Sequence, residues 1–578
     1  MPGDPIGRLR DDPFTLHGRH RAVALVREFT TRPEPQGLPT TRRTPIVIFT
    51  GPKGCGRSAL LDSLEGRLRG RLPHARVNCG ELAGNAAWEV LPRLAFDLNR
   101  NAAGYRSIPF PRFVTAQVAM AAQIDTLVGH AARLRIRQEL EQARRIDRLR
   151  AFLSTLGQNV ANTVPGVGGV PGVGAAVEYA PNLLLDGLVS WRHGRRVVLG
   201  EGLEWYGSDD KAYDELARLN QLTGDGASEA DRKEATELLW AAFLADLRAA
   251  FGRGRGARRW SLNCVLLLDD VDTKAGRLLY RALADARRGG LDPLTVVATS
   301  TGAVARHADP NGEFPFAEEA NYDDYAARRQ GEYESDSYPV ALRDLTLDEV
   351  KDMVADVAGS RLNAHRAVAA EVYRFTRGHP AATAVVVKAV GDYAGSGTPV
   401  KRLLDKQWRG PVDKDPVTVE ERLRRELLGP MPERASAVLE ACAAARDVEQ
   451  ADELTGSGLT TSTRRTGLVP DELQVRAPDP VPRPGDRAPD DPEGTDARRA
   501  VMLPALRHLL LRRLAADPAR WTAAHTWLRD RGRESERHYH ALALRDVDAV
   551  VRWLEELLPD SRAWLAALDA VMAEGVVY

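Results

Sequence analysis

The stretch Gly51-Pro52-Lys53-Gly54-Cys55-Gly56-Arg57-Ser58 sets glycines at its first, fourth and sixth places and closes on a hydroxyl. The spacing fits the phosphate-cradling pattern G-x-x-x-x-G-K-[ST] everywhere but at Arg57, which stands where the pattern has lysine. Glycines let successive backbone N–H groups point inward, and a following helix adds its partial positive charge. The loop through Ala59 would therefore grip a β-phosphate whatever its side chains are. Ser58 is the expected Mg²⁺ ligand. Lysine reaches β- and γ-oxygens as a compact point charge, whereas arginine is longer, planar and forked. Binding is expected to survive the exchange and γ-phosphate positioning to suffer. Lys53 either folds over the phosphates or is a solvated surface lysine. Further along, the run Val265–Asp272 (VLLLDDVD) ends an apolar strand in acids. Asp269 at the tip is expected to hold the Mg²⁺ shell, and Asp270 to act as general base or to orient water. The bland alternative is that Asp270 and Asp272 cap the next helix. Thr299, Ser300 and Thr301 end another apolar strand, either as γ-phosphate sensors, Ser300 foremost, or as ordinary turn residues.

Such groups meet only if strand tips are brought together. Ile46–Phe49 reads as a buried strand running into the glycine loop, and Ser58 opens a helix. Ala75–Cys79, Cys264–Leu268 and Leu294–Ala298 read as further strands, with a helix near residue 95. Strands alternating with helices imply an α/β fold with a parallel sheet in three layers. Ahead of it, a turn at Gly18 leads into an amphipathic helix carrying Val23, Leu25 and Phe29. Beyond it, helices over Thr346–Val357, Ala367–Phe375 and Ala381–Val390 form a small helical lid, the last following the turn Arg377-Gly378-His379-Pro380. Residues 420–456 are helical, 477–497 are rich in Pro, Asp and Gly and read as a disordered loop, Arg499–Leu503 resumes as a strand, and the chain is helical from Pro504 almost to its end.

In order and spacing, these residues resemble the STAND class of signal-transduction ATPases within the AAA+ superfamily, over a span from Phe14 to Leu514. Phe14 to Arg19 is similar to the family's F-x-G-R box, and the resemblance places Gly18 and Arg19 over adenine. Leu342–Val350 resembles the passage from the last core strand into the lid. Gly378-His379-Pro380 resembles the lid's G-x-P motif, which implies that Pro380 packs near the base. In the family a winged-helix domain ends on a histidine-proline pair whose histidine contacts phosphate; here the pair is Leu503-Pro504. With Arg57, that makes a second departure at a phosphate contact, and His379 and His508 are the nearby candidates to compensate. The resemblance implies a P-loop NTPase core over 1–115 and 226–342, a lid over 343–410 and a winged-helix-like domain over 411–515; the C-terminal helices read over 516–578 lie beyond its span. It implies ATP or ADP with Mg²⁺ held between core and lid, a signalling switch with slow or absent hydrolysis in which Asp270 and Arg57 would be the catalytic groups, and a protein partner or self-association. Two other classes stay open: an AAA+ nucleic-acid-binding regulator using Arg464, Arg465 and the helices of 420–456, and a scaffold that binds no nucleotide.

Composition narrows the field. The 578 residues imply several domains, and 80 basic residues balance 80 acidic ones, which removes the global field expected of a dedicated nucleic-acid binder. Four scattered cysteines with no C-x-x-C pair offer neither a zinc site nor a disulfide framework. Met1–Arg10 lacks a basic start followed by an apolar run, so the expected location is cytoplasmic. Residues 116–225 read as an insertion into the core. Within it, Arg133–Leu156 is an arginine-rich helix, a solvated face or a surface for nucleic acid or an acidic partner. Residues 160–189, rich in Gly, Val, Ala and Pro, are either a loop folded on soluble helices or a membrane-contacting hairpin. No run of about 18 apolar residues exists there to span a bilayer.

Overall fold

The protein is described from a computed structural model that covers residues 16–34, 39–82, 87–100, 102–122, 124, 129–143, 202–208, 210–224, 226–252, 260–309, 314–329, 336–358, 365–393, 399–409, 416–460, 467–476 and 500–572. The segments 160–189 and 477–497, with Phe14, Arg464, Arg465 and most of Arg133–Leu156, lie outside these residues. The chain divides into two compact units, Met1–Gly51 with Arg57–Arg343, and Pro52–Gly56 with Asp344–Tyr578.

The first unit is mixed α/β around a five-stranded, all-parallel sheet: β1 (Ile46–Thr50), β2 (His74–Asn78), β3 (Cys264–Asp269), β4 (Leu294–Ser300) and β5 (Ser337–Ala341), in the order β2-β3-β4-β1-β5. β1, β3 and β4 are buried along their whole length. Their unbroken apolar runs are what a parallel sheet covered on both faces demands. β5 was not read from the sequence, because Pro339 interrupts its pattern. It is an edge strand, where a residue without N–H is tolerated.

Around the sheet lie α1 (His20–Thr30), α2 (Arg57–Leu68), α3 (Leu91–Leu98), α4 (Pro111–Met120), α5 (His130–Ala143), α6 (Asp210–Thr223), α7 (Glu229–Gly252), α8 (Lys274–Arg287), α9 (Ala303–Ala308) and α10 (Tyr322–Arg329). The described parts of 116–225 are not set apart from the core. The expected boundary at 116 falls inside α4, and Ala116, Ile136 and Leu216 share one buried cluster with Ile48, Val77 and Leu266 of the sheet. Polar groups fasten both ends of α4. At its start Asp246 of α7 accepts from the N–H groups of Arg112 and Phe113 at 3.2 and 3.0 Å and pairs with the Arg112 guanidinium at 2.9 Å. At its end the Asn220 amide donates to the carbonyls of Ala119, Met120 and Ala122. Phe110 stacks on Phe243 of α7 at 5.0 Å, so the segment and α7 build one wall.

The second unit is helical. α11 (Leu347–Ala358), α12 (His365–Thr376) and α13 (Pro380–Asp392) stand where three helices were expected. Gly378 between α12 and α13 has φ +79°, and a Cβ there would lie 2.0 Å from the Leu345 carbonyl oxygen, so only glycine fits. α14 (Val419–Leu428), α15 (Glu433–Cys442), α16 (Val448–Asp452), an antiparallel ribbon of β6 (Gln474–Arg476) and β7 (Ala500–Met502), and α17 (Pro504–Ala515) share one core with α11, α12 and α13. α18 (Pro518–Arg531), α19 (Glu534–Ala543), α20 (Val547–Leu557) and α21 (Ser561–Met572) complete it. Among the described residues no helix is long and apolar enough to cross a membrane.

Candidate functional site

β1 lies inside the sheet with β4 on one side and β5 on the other, while the chain leaving it returns to the sheet at the far edge as β2. The order therefore reverses beside β1, and the carboxyl ends of strands at such a reversal are where open α/β sheets take ligands. Gly51–Gly56 starts there and α2 begins at Arg57. Gly54 and Gly56 have φ +80° and +91°, the left-handed turns for which the motif keeps glycine.

In the first unit the start of α2, the end of β4 and the middle of β2 each send a side chain to Asp269 at the end of β3. Its Oδ1 accepts from the exposed Ser58 hydroxyl at 3.1 Å and from Thr299 Oγ1 at 2.7 Å, and its Oδ2 accepts from Arg76 Nη2 at 3.2 Å. The Thr299 hydroxyl also accepts from the Asp270 N–H at 2.8 Å, locking the end of β3 to that of β4. Asp270 follows in a left-handed conformation, φ +56°, and its side chain is exposed. The motif residues Ser58 and Asp269 thus meet, and Asp270 stands beside them facing solvent. Asp269 and Ser58 suit Mg²⁺, an ion that keeps most of its waters and takes one or two protein oxygens alongside phosphates.

Thr273, not Asp272, caps α8, accepting from the Gly276 N–H at 3.0 Å. Asp272 instead braces the turn from β4 into α9. It accepts from the Ser300 hydroxyl at 2.9 Å, the Thr301 hydroxyl at 2.8 Å and the Val304 N–H at 2.8 Å, and from the Thr301 N–H. Burial opposes its charge, but these donors outweigh it and hold the carboxyl below the usual range. Ser300, the expected γ-phosphate sensor, is fully buried in that brace. Beside the same groups, burial first, then Asp270 and Asp269, push the Cys79 thiol up to about 12.

Arg57 donates from Nη1 to the Gly51 carbonyl. Gly18 has φ +68° and precedes α1, and the buried Arg19 returns a hydrogen bond to the Gly18 carbonyl at 2.9 Å.

Pro52–Gly56 belongs with the second unit. There Lys53 is neither solvated nor free to fold over a ligand, because its ammonium donates at 2.8 Å to the Leu428 carbonyl, closing the C-terminus of α14 where a cation is favoured. His379, 1% exposed, caps α13 by accepting from the Ala382 N–H on Nδ1, so the proton rests on Nε2 and is donated to the Lys53 carbonyl at 2.9 Å. Pro380 opens α13, and the next N–H, of Ala381, donates to the Gly54 carbonyl at 3.0 Å. Cys55 is buried, and Pro52 is half-buried. Leu503 is buried in the helical core, and His508 is held by the Phe375 carbonyl and stacked on its ring.

Sequence reasoning missed Arg76. Its strand alternates, with Ala75 and Val77 buried and His74, Arg76 and Asn78 on the other face. A charge two residues before the end of a strand whose neighbour ends in Asp was the available signal. Burial disfavours the Arg76 charge, but its hydrogen bonds to the accepting carboxylates of Asp62 and Glu65 on α2 more than offset it and raise its pKa. Compared with known proteins, the chain matches no protein-family model and no curated protein.

Proposed function

We propose that this chain is a cytoplasmic nucleotide-binding switch resembling the STAND class of P-loop ATPases, with slow or absent ATP hydrolysis. The observation that carries the proposal is the hydrogen bond from Ser58, at the start of the helix after the glycine loop, to Asp269 at the end of the neighbouring acidic strand. Sequence motif and sheet topology reach the same point independently. The backbone N–H groups from Gly54 to Ala59 would hold the β-phosphate of ATP or ADP, and Gly18 and Arg19 are the family-based candidates for the base. Ser58 and Asp269 would hold Mg²⁺, which when bound supplies positive charge across the β- and γ-oxygens. Asp270, exposed beside them, would orient water. Arg57 spends a donor on the Gly51 carbonyl and carries a forked head where hydrolysis favours a point charge. That supports retention of binding over turnover.

The succession α14, α15, α16, ribbon, α17 supports a winged-helix-like reading of that segment. A switch of this kind needs a partner or a second copy with different affinity for its nucleotide states, not rapid chemistry. Phosphate release from ATP tests the proposal. Turnover below about 0.1 s⁻¹, against the roughly 1 to 1,000 s⁻¹ of ordinary enzymes, is expected for wild type, and Arg57→Lys is expected to bind tighter or to gain hydrolysis. Wild-type turnover within the ordinary range that collapses in Asp270→Asn would overturn it.

A further inference from the structure

Arg76 enters the site without belonging to any motif there. Its guanidinium divides its fork: Nη1 bonds Asp62 and, at 3.0 Å, Glu65, both on α2, while Nη2 reaches Asp269 Oδ2 at 3.2 Å. The two α2 carboxylates, three residues apart on one helix face, fix the planar group so that its free edge meets Asp269. Its side chain is 24% exposed and that of Asp269 only 10%, so the pair is shielded from most solvent screening.

The consequence lies in what remains on Asp269. An ionised carboxylate offers about four lone-pair sites. Ser58, Thr299 and Arg76 take three of them. A water of a magnesium shell arriving at Asp269 would find the last one, next to a permanent positive charge. We infer that Arg76 is the resident counter-cation of Asp269, and that nucleoside di- and triphosphates bind this site with little dependence on divalent metal. The inference rests on the nucleotide-binding reading above. It assigns Arg76 a positioning role, exerted through Asp269.

Calorimetric titration of ATP and ADP into the full chain, once with excess MgCl₂ and once with EDTA, tests it. The two dissociation constants of wild type are expected to agree within about threefold, and Arg76→Gln is expected to widen the ratio to about tenfold or more. A purely structural role for Arg76 would move both constants together and leave their ratio unchanged. Because the wild-type ratio needs no variant, the inference stays exposed even if Arg76→Gln melts below the assay temperature. A wild-type affinity that falls about tenfold or more in EDTA overturns the inference and leaves nucleotide binding intact. A folded Arg76→Gln whose ratio matches wild type also overturns it. No binding heat in either buffer overturns the nucleotide-binding reading, and the inference with it.

Discussion

Each unit gathers polar side chains at one place, and the two places are built on opposite terms. At the tips of β3 and β4 in the first unit, Asp269, Thr299 and Ser300 are buried and Asp272 is half-buried, yet Ser58 and Asp270 beside them face solvent. In the second unit, Arg507 donates to the carbonyls of Ala443 and Ala445 at 3.0 and 3.2 Å, finishing α15, and to the Tyr539 hydroxyl at 2.8 Å. Next to Tyr539, His525 and His540 meet Nδ1 to Nδ1 at 2.9 Å with neither ring exposed. Neither Nε2 has a partner among the described residues. The first cluster keeps a side open to solvent, as the proposed nucleotide site requires. The second is buried throughout, and its described hydrogen bonds run within the cluster and to helix ends, as in a structural centre.

The sharpest way to break this contrast is to remove Arg507. Arg507→Ala strands two carbonyls and a phenol in the core and is expected to cost about 3 kcal/mol. Urea unfolding followed by hydrogen exchange should show the loss in peptides of the second unit. A loss under about 1 kcal/mol would mean that water reaches the cluster and that it is not sealed.

Acid separates the regions next. Burial lowers His525 to about 3, with Arg507 adding, and lowers His540 to about 2, with His525, Arg507, Arg446 and Arg529 adding. Folded values below the unfolded 6.5 mean stability that is present above pH 6.5 and lost as pH falls towards the folded values. Each histidine removes up to about 1.4 kcal/mol per pH unit in that window. Asp272 is lowered from 3.8, so the stability it gives the first unit persists down to about pH 4 and is lost only below that. Between pH 7 and 5, exchange protection should fall in the second unit and hold in the first. Equal loss in both, or a second unit unmoved in wild type and in His525→Gln alike, would contradict the assignment.

The two regions also differ in how far the sequence revealed them. β1, β3 and β4 were legible to within two residues because a strand covered on both faces must be apolar throughout, and Ser58 and Asp269 were legible because a motif fixes their places. Arg76 was not, since its partners come from α2 and β3 and only the sheet register brings them together. The part played by Asp272 depends on the turn after β4, far along the chain. For the sealed cluster no local pattern existed at all: Arg507, His525, Tyr539 and His540 sit on three successive helices, and only their packing turns four ordinary residues into one centre. The same holds for 116–225, whose described helices join the sheet core through apolar faces that spacing alone does not assign to a neighbour.

The central claim is that the loop from Gly51 to Ser58 is a nucleotide site, and calorimetry with ADP addresses it most directly. Wild type is expected to bind one ADP per chain, and Gly56→Val, which forces a branched side chain onto φ +91°, is expected to lose at least about tenfold in affinity. Absence of binding by wild type at millimolar ADP, or affinity unchanged in a folded Gly56→Val, would contradict it.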